Sequence, residues 1–254
     1  MKKLACLLVA LVIVETAAPA AFAQTLPSAT PATFTQPQPT TTEQNQAEKL
    51  FRESEKKLAD ADQAQITVES TLEGAPGQGS AKGTLLLAKG NKASVVVQGH
   101  LRGDEFKASF VSNGTKMKMA VTKLAAQQEQ KTPHDLNAMI VGSFSRLGIL
   151  AGFRNTTQQP GEEEPGLEDM FKVSDFTMGK KERVAGRDAQ VIDYKLVINN
   201  SDTAENTIWI DTETKLLLKR VINSKNGNES IRITETYQIC VDGNIDGKSF
   251  ELPK

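Results

Sequence analysis

The chain has 254 residues, of which 24% are charged, 39% hydrophobic and 5% aromatic, and its formal net charge is −1. This composition is typical of a globular protein and excludes the disordered, collagen-like and disulfide-rich classes. The 30 basic residues are balanced by 31 acidic ones. Because there is no positive excess to neutralise phosphates, we predict no nucleic-acid partner.

The first 23 residues have the pattern of a secretory signal peptide. Two lysines precede an apolar run at Leu4–Val14, and Ala21-Phe22-Ala23 supplies small residues before a cleavage site. The run has 11 residues, whereas a membrane-spanning helix needs about 20, so we reject a membrane anchor. Cys6 lies at the front of the run, which argues against lipidation. We predict export across the inner membrane to the periplasm, with no transmembrane segment in the mature chain.

Residues 24–42 are predicted to form a tether, because prolines alternate there with Thr, Ser, Ala and Gln and no residue before Glu43 is charged. Residues 43–254 are predicted to form a single domain that begins with an amphipathic helix. One face of that helix collects residues at helical spacing, namely Ala47, Leu50, Phe51, Ser54, Leu58 and Ala61.

From Gln65 onward the hydrophobic period changes from helical to alternating. Five strands joined by tight turns are predicted near residues 66–72, 82–89, 93–101, 105–110 and 116–123, with Asn113-Gly114 as the strongest hairpin signal. Five more are predicted at residues 171–178, 189–198, 206–211, 216–223 and 230–241. A sheet of about ten strands curves into a partial barrel, which shields its inner face from solvent, and a helical insertion can cover the open end of that barrel.

The middle of the chain differs from both flanks. Pro133–Phe153 is apolar and almost without charge, and Gly148 and Gly152 are stop signals, so we predict one or two short helices. Such a segment should lie on the sheet or across a cavity mouth. Residues 156–169, which contain three consecutive glutamates, are predicted to be a solvated acidic loop because they lack the spacing of a calcium loop.

The residues that carry chemistry are few. His100 and His134 are the only imidazoles, and the chain has no nucleophile elbow, Walker loop or dinucleotide fingerprint. We therefore predict no catalytic residues, no metal and no cofactor, with acids that converge only in space as the remaining route to an enzyme. Cys240, the one cysteine left after cleavage of the signal peptide, is interpreted as a small buried hydrophobe in a strand.

Several motifs resemble those of the LolA/LolB-like family of periplasmic lipoprotein carriers and lipoprotein-sorting proteins. Ser112-Asn113-Gly114-Thr115-Lys116 is similar to its "S-D-G-K" hairpin, and Gly83–Lys89 to its "G-x-L" second strand. Ile208–Asp211 followed by Leu216–Arg220 resembles a later strand pair, and the ending from Asn244 to Pro253 resembles its closing motif. The resemblance covers residues 45–254.

The chain departs from the family pattern in four respects, one of which is the additional Pro/Thr-rich tether. Lys89-Gly90-Asn91-Lys92 stands where LolA-type carriers have an Arg after the second strand, and Met117 and Met119 stand where aromatic residues are usual. Leu217 or Leu218 occupies the place of a proline. These departures bear on lipoprotein carriage more than on the fold.

The resemblance implies a mainly β (α+β) fold: an incomplete, strongly curved antiparallel β-barrel of about ten strands with an N-terminal helix and a helical lid. It also implies a hydrophobic cavity that holds a lipid, an acyl chain or a lipoprotein, with no cofactor and no chemical step. Lipid or lipoprotein acyl chains are the expected partners, together with envelope proteins. The alternative is an envelope structural or interaction protein whose barrel core is filled.

Strand alternation then assigns residues to the two parts of the expected site. The cavity wall is predicted to comprise Val68, Leu85, Leu87, Val95, Val97, Phe106, Phe110, Met117 and Met119. The lid is predicted to comprise Leu136, Met139, Ile140, Phe144 and Leu147. A shift of one residue in strand register would exchange the two sheet faces. The flexible side chains of the methionines suit contact with acyl chains. Packing in a hydrophobic core explains these methionines equally well.

Overall fold

The structure, a computed structural model, describes residues 41–74, 77–101, 103–121, 124–152, 170–200, 202–226 and 229–253. The predicted signal peptide, residues 24–40 of the predicted tether and the predicted acidic loop lie outside the described residues. The elements in chain order are α1 (Thr41–Asp60), β1 (Gln63–Gly74), β2 (Gly79–Ala88), β3 (Lys92–Leu101), β4 (Asp104–Asn113), β5 (Lys116–Val121), β6 (Leu124–Lys131), α2 (Leu136–Gly152), β7 (Phe171–Val184), β8 (Arg187–Ile198), β9 (Asp202–Asp211), β10 (Leu217–Asn226), β11 (Glu229–Val241) and a short 3-10 helix (Gly247–Phe250).

All strands belong to one antiparallel sheet, in the order β6-β5-β4-β3-β2-β1-β11-β10-β9-β8-β7. Strands that follow each other in the chain are paired, apart from β6 and β7 at the two ends of the sheet, and β1 pairs with β11 at its centre. In the described part of the chain the end strands β6 and β7 pair on one side only, so the sheet is open. The predicted fold class, an incomplete antiparallel barrel with two covering helices, is confirmed.

The strand count differs from the prediction by one, because β6 was not expected. Its sequence, LAAQQEQK, has no β-branched or aromatic residue and little alternation. Backbone pairing with β5 defines this edge strand. Composition therefore gave no signal for it.

The two helices cover one face of the sheet, which we call the inner face. On α1, Ala47, Phe51 and Leu58 are buried at helical spacing, as the sequence predicts. The Phe51 ring lies 5.1 Å from the ring of Tyr194 on β8 and 5.3 Å from that of Phe176 on β7. α1 is thus packed through aromatic contacts on the C-terminal half of the sheet.

The helix α2 is broken near its C-terminal end. Gly148 has φ 78° and ψ −174°, a conformation that interrupts helical geometry and favours glycine. The predicted stop signal at this glycine is confirmed. None of the described helices is long and apolar enough to cross a membrane.

The face opposite the helices, the outer face, carries mostly polar residues and one small apolar cluster of Ala189, Val191, Trp209, Leu218 and Val221. Cys240 also lies on this face and is exposed, so its interpretation as a buried hydrophobe was wrong. It is paired in register with Gln65, one step out of phase with the inward-facing Ile239 and Ile66. In a strand, one residue step moves a side chain to the other face.

Candidate functional site

The strand register brings the nine predicted cavity-wall residues onto one face of the sheet. Leu85 on β2 is paired with Val95 on β3, which is paired with Phe110 on β4, which in turn is paired with Met119 on β5. The other five follow the same pleat: Val68, Leu87, Val97, Phe106 and Met117. The register is therefore the one that the alternation predicts, and the role of these residues in binding stays a prediction.

The wall has a buried part and a half-exposed part. Val68, Leu85, Leu87 and Val97 belong to the hydrophobic core beneath the helices, and Met117 is also buried. The half-exposed part, farther along the inner face on β3 to β5, comprises Val95, Phe106, Phe110 and Met119. We call these four residues the open strip.

The predicted lid residues lie on α2 and face the same core. Leu136, Phe144 and Leu147 are buried in it, and Ile140 packs against it, whereas Met139 is half-buried. The Phe144 ring meets the Tyr237 ring edge-on at 5.2 Å between centroids. α2 therefore covers part of the inner face, and the role of these residues as a lid stays a prediction.

The start of α2 is fastened to one end of the sheet by side-chain amides. Asn91, in the β2–β3 turn, donates from Nδ2 to the carbonyl of His134 at 2.7 Å and accepts from the backbone N–H of Asn137 at 3.2 Å. Asn137 donates from Nδ2 to the carbonyl of Ala88 at 2.7 Å. We call this pair of asparagines the anchor.

The broken end of α2 is held by side chains from the sheet. A helix break leaves the carbonyls of the preceding turn without the N–H groups four residues on. Arg220 on β10 donates from its two terminal nitrogens to the carbonyls of Phe144, at 2.7 Å, and Ser145. Tyr194 on β8 donates its hydroxyl to the carbonyl of Arg146 at 2.9 Å. The sheet thus supplies the donors that the helix lost.

Glu235 on β11 completes this arrangement from the acceptor side. Its carboxylate accepts from the backbone N–H of Ile149 and from the hydroxyl of Ser70, each at 3.1 Å, and from the hydroxyl of Tyr237. Burial, followed by the charge of Glu235, raises the pKa of Tyr237 well above its ordinary value, so this hydroxyl stays protonated at neutral pH.

The charges of this buried cluster are balanced. Arg220 lies opposite Glu235 in the β10–β11 register, and both are fully buried. Arg146, on α2 itself, donates from Nε to Glu55 of α1 at 3.0 Å and from a terminal nitrogen to the carbonyl of Phe171. We call Glu55, Arg146, Tyr194, Arg220, Glu235 and Tyr237 the lid network. A balanced, hydrogen-bonded set of this kind tolerates burial.

Little space remains between the helices and the sheet. A cavity of about 20 Å³ lies between Phe51 and Leu58 of α1, Phe144 of α2 and Ile208 and Ile239 of the sheet. That volume holds roughly one water molecule. Among the described residues, the contact of α1 and α2 with the sheet is therefore closely packed at this point.

Four buried side-chain polar atoms have no hydrogen-bond partner among the described residues. They are Oδ1 of Asn137 on α2, both amide atoms of Asn206 on β9, and the Nε of Arg220 on β10. Most buried polar groups in proteins are paired, so each exception needs an explanation.

The imidazole rings of the two histidines are exposed. His100 is exposed, with Nε2 3.3 Å from Glu105, and His134 is almost fully exposed. Within the described ranges no group of three or more histidine, cysteine or acidic residues is arranged to hold a metal ion. The predicted absence of catalysis remains a prediction.

The lid network was not anticipated from the sequence, although two signals for it existed. Glu235 occupies an inward position in the alternation of Ile231, Ile233, Tyr237 and Ile239. Arg146 is the only charged residue in α2. A charge in phase with apolar residues indicates a buried partner.

A family model described as "Predicted periplasmic protein (DUF2092)" matches residues 47–239. The chain belongs to this family. The periplasmic location that the signal peptide predicts is thereby confirmed for this DUF2092 protein. Among curated proteins, none matches the chain.

Solved structures provide three further comparisons. LppX, a lipoprotein of Mycobacterium tuberculosis, is 12% identical with a TM-score of 0.40, over 76% of this chain and 94% of LppX. A LolA superfamily protein from Nitrosomonas europaea is 8% identical with a TM-score of 0.34, over 81% and 97%. MucB in complex with MucA from Pseudomonas aeruginosa is 14% identical with a TM-score of 0.37, over 80% and 61%. These are similarities of the chain to those proteins, and they carry no statement about its function.

Proposed function

We propose that this DUF2092 protein is a periplasmic carrier that holds a lipid or acyl chain between the inner face and α2, without a chemical step. The attachment of α2 is the observation that supports this most directly. The carbonyls of Phe144 and Ser145 are satisfied by Arg220 in the closed form. If Gly148 became helical, backbone N–H groups would satisfy them instead. Both the closed and the released forms of the lid thus keep their backbone hydrogen bonds.

The open strip supports an entry path for such a ligand. Val95, Phe106, Phe110 and Met119 present apolar, partly exposed surface that continues the buried wall. An acyl chain laid on this strip removes apolar area from water, at about 25 cal/mol per Å². The chain would reach the buried wall after α2 is displaced, with the anchor at Asn91 and Asn137 as the pivot.

A filled barrel core is the competing function, and the small cavity favours it. With room for about one water molecule, the inner face needs no ligand to be complete. In that case the protein acts in the envelope through its surface or its tether. The two functions differ in whether α2 leaves the sheet.

Native mass spectrometry of the mature protein, purified from an envelope extract, tests the proposal. We expect a stoichiometric lipid or acylated peptide that organic extraction releases and identifies. A clean apo mass together with no uptake of added acyl chains would overturn carriage and support the filled-core function.

A matched pair of variants tests the location of the ligand. Val95 lies on the inner face, and its neighbour Val96 lies on the outer face with 37% exposure. Val95→Ser should weaken binding of a fluorescent fatty acyl probe about tenfold, because it places a hydroxyl on the apolar wall. Val96→Ser should leave binding unchanged. Equal effects of the two variants would place the ligand elsewhere.

A further inference from the structure

The inner face contains a polar side chain that the proposed carrier function leaves unexplained. Asn206 is 1% exposed, and neither its Nδ2 nor its Oδ1 has a partner among the residues that the structure describes. A buried polar group without a partner costs about 1–3 kcal/mol. An apolar side chain at this position would avoid that cost, since Ile222 and Tyr194 are its cross-strand neighbours.

A second unpartnered group lies close to the first. Arg220 is paired in register with Ile208, two positions from Asn206 along β9. Diagonal neighbours of this kind on one sheet face are about 7–8 Å apart. The terminal nitrogens of Arg220 are fixed on the carbonyls of α2, which leaves its Nε–H as a free donor in the described part of the chain. With α2 in place, the unpartnered groups among the described residues of β9 and β10 are thus the amide of Asn206 and the Nε of Arg220, on neighbouring strands.

We propose that Asn206 and the Nε of Arg220 form a polar subsite for the neutral headgroup of an acyl ligand. This inference rests on the proposed carrier function and names the ligand class. The Oδ1 of Asn206 requires a donor, whereas its Nδ2 and the Arg220 Nε require acceptors. A hydroxyl beside an ester carbonyl, as in an acylglycerol, provides both.

The same chemistry discriminates against anionic headgroups. A carboxylate has no donor for the Oδ1 of Asn206. The positive charge of Arg220 already faces the carboxylate of Glu235 across the β10–β11 pair. A free fatty acid would bind as a carboxylate anion. Because Glu235 already compensates the charge of Arg220, no unpaired positive charge would offset the cost of desolvating that anion.

Competition binding against a fluorescent acyl probe tests this subsite with three ligands of equal chain length. These are monopalmitoylglycerol, methyl palmitate, which only accepts, and palmitic acid. The full mature protein should bind monopalmitoylglycerol about tenfold more tightly than the other two, equivalent to one or two hydrogen bonds. Palmitamide, which also donates and accepts, distinguishes an amide headgroup from a hydroxyl.

The variant Asn206→Leu should abolish this preference, because monopalmitoylglycerol then loses more hydrogen bonds than methyl palmitate does. Asn223→Leu is the matched control, because Asn223 lies on the neighbouring strand, where its side chain accepts from Arg232. Asn206→Ala, which cannot overpack the site, replaces the leucine variant if that one fails to fold by circular dichroism.

The outcomes separate the two proposals. If the wild-type protein binds no acyl ligand at all, the carrier function fails and the subsite fails with it. If all ligands bind and Asn206→Leu keeps the wild-type ranking, the subsite is wrong and the carrier function stands. A gain in thermal stability of Asn206→Leu together with lost ranking is the result that the proposal predicts.

Discussion

Asp211 shows how a single side chain closes the β9–β10 turn. Its Oδ1 accepts from the backbone N–H of Glu213 at 2.8 Å and of Thr214 at 2.6 Å, and its Oδ2 lies 2.6 Å from Nε of Arg187. Burial raises the pKa of Asp211, but these donors outweigh burial and hold the pKa below its ordinary value. The carboxylate form is therefore the one that stabilises the fold.

The lowered pKa of Asp211 predicts how the stability of the fold depends on pH. A depressed carboxyl pKa contributes stability above the unfolded value, about 4, and that contribution is lost as the pH falls through the folded value. Asp211→Asn should lower the free energy of unfolding at pH 7 by about 1–3 kcal/mol. Urea unfolding should show this difference shrinking below pH 4. Asp188→Asn, at an exposed aspartate paired with Arg183, should change nothing, and a pH-independent difference for Asp211→Asn would contradict the prediction.

Gly148 is the residue at which α2 breaks and at which its backbone meets Glu235. A Cβ built there would lie 1.9 Å from Oε2 of Glu235. Gly148→Ala should therefore displace Glu235 from the N–H of Ile149 and cost about 3 kcal/mol or more in urea unfolding. Gly186→Ala is the control, because Gly186 has φ 81° and nothing within 4 Å of a built Cβ. It should cost only the left-handed strain, about 1–2 kcal/mol, and equal costs for the two variants would refute a steric role of Glu235.

For individual residues, the sequence predicts which side chains face inward. It does not predict which of them form the hydrogen bonds of the lid network. Val95 and Phe110 were assigned to the inner face from alternation alone, because that period is local. The contacts of Glu235 with Ser70 and with Ile149 join residues 165 and 86 positions apart. A pattern with a period of two residues contains no information about such distant partners.

Among the elements, α2 is tied to the sheet at both ends, by Asn91 at its start and by Arg220 at its break. Asn91 has φ 57°, a left-handed conformation that asparagine tolerates, and holds both His134 and Asn137. Asn91→Ala removes two hydrogen bonds at the start of the helix. We expect faster amide hydrogen exchange in the first turns of α2, with exchange in β8 to β10 unchanged. Asn199→Ala, in the left-handed β8–β9 turn, serves as the control and should leave α2 protected, whereas unchanged exchange of α2 in Asn91→Ala would rule out the anchor.

The elements themselves were largely predictable from the sequence. Ten of the eleven strands, the amphipathic α1 and the break in α2 follow from hydrophobic period and glycine position. The strand β6 does not, because an edge strand paired on one side needs no apolar face. The pairing of β1 with β11 at the centre of the sheet could not be predicted either. Alternation indicates which face of the sheet a side chain occupies, but it does not indicate which strands are neighbours.

The whole molecule consists of two meanders joined at one central pair of strands. β1 and β11 pair over residues 64–74 and 231–241, and only this ladder joins β1–β6 to β7–β11 among the described strands. Both helices also bridge the halves: α1 precedes β1 and packs on β7 and β8, and α2 is tied to the β2 end at Ala88 and to β10 at Arg220. This connectivity predicts that the halves unfold together.

The lone tryptophan allows that cooperativity to be measured. Trp209 lies in β9, in the second meander, and donates from Nε1 to Glu182 at 2.7 Å, so its fluorescence reports that half. Ile66→Ala, in the first meander at a fully buried position paired with Ile239, should cost about 2–5 kcal/mol. Urea transitions followed by Trp209 fluorescence and by circular dichroism should shift equally and remain coincident. Val96→Ala should shift neither. If the fluorescence transition stays at its wild-type midpoint while the circular dichroism transition moves, the two halves fold independently. In that case α2, which spans both halves, could open without disturbing the second half.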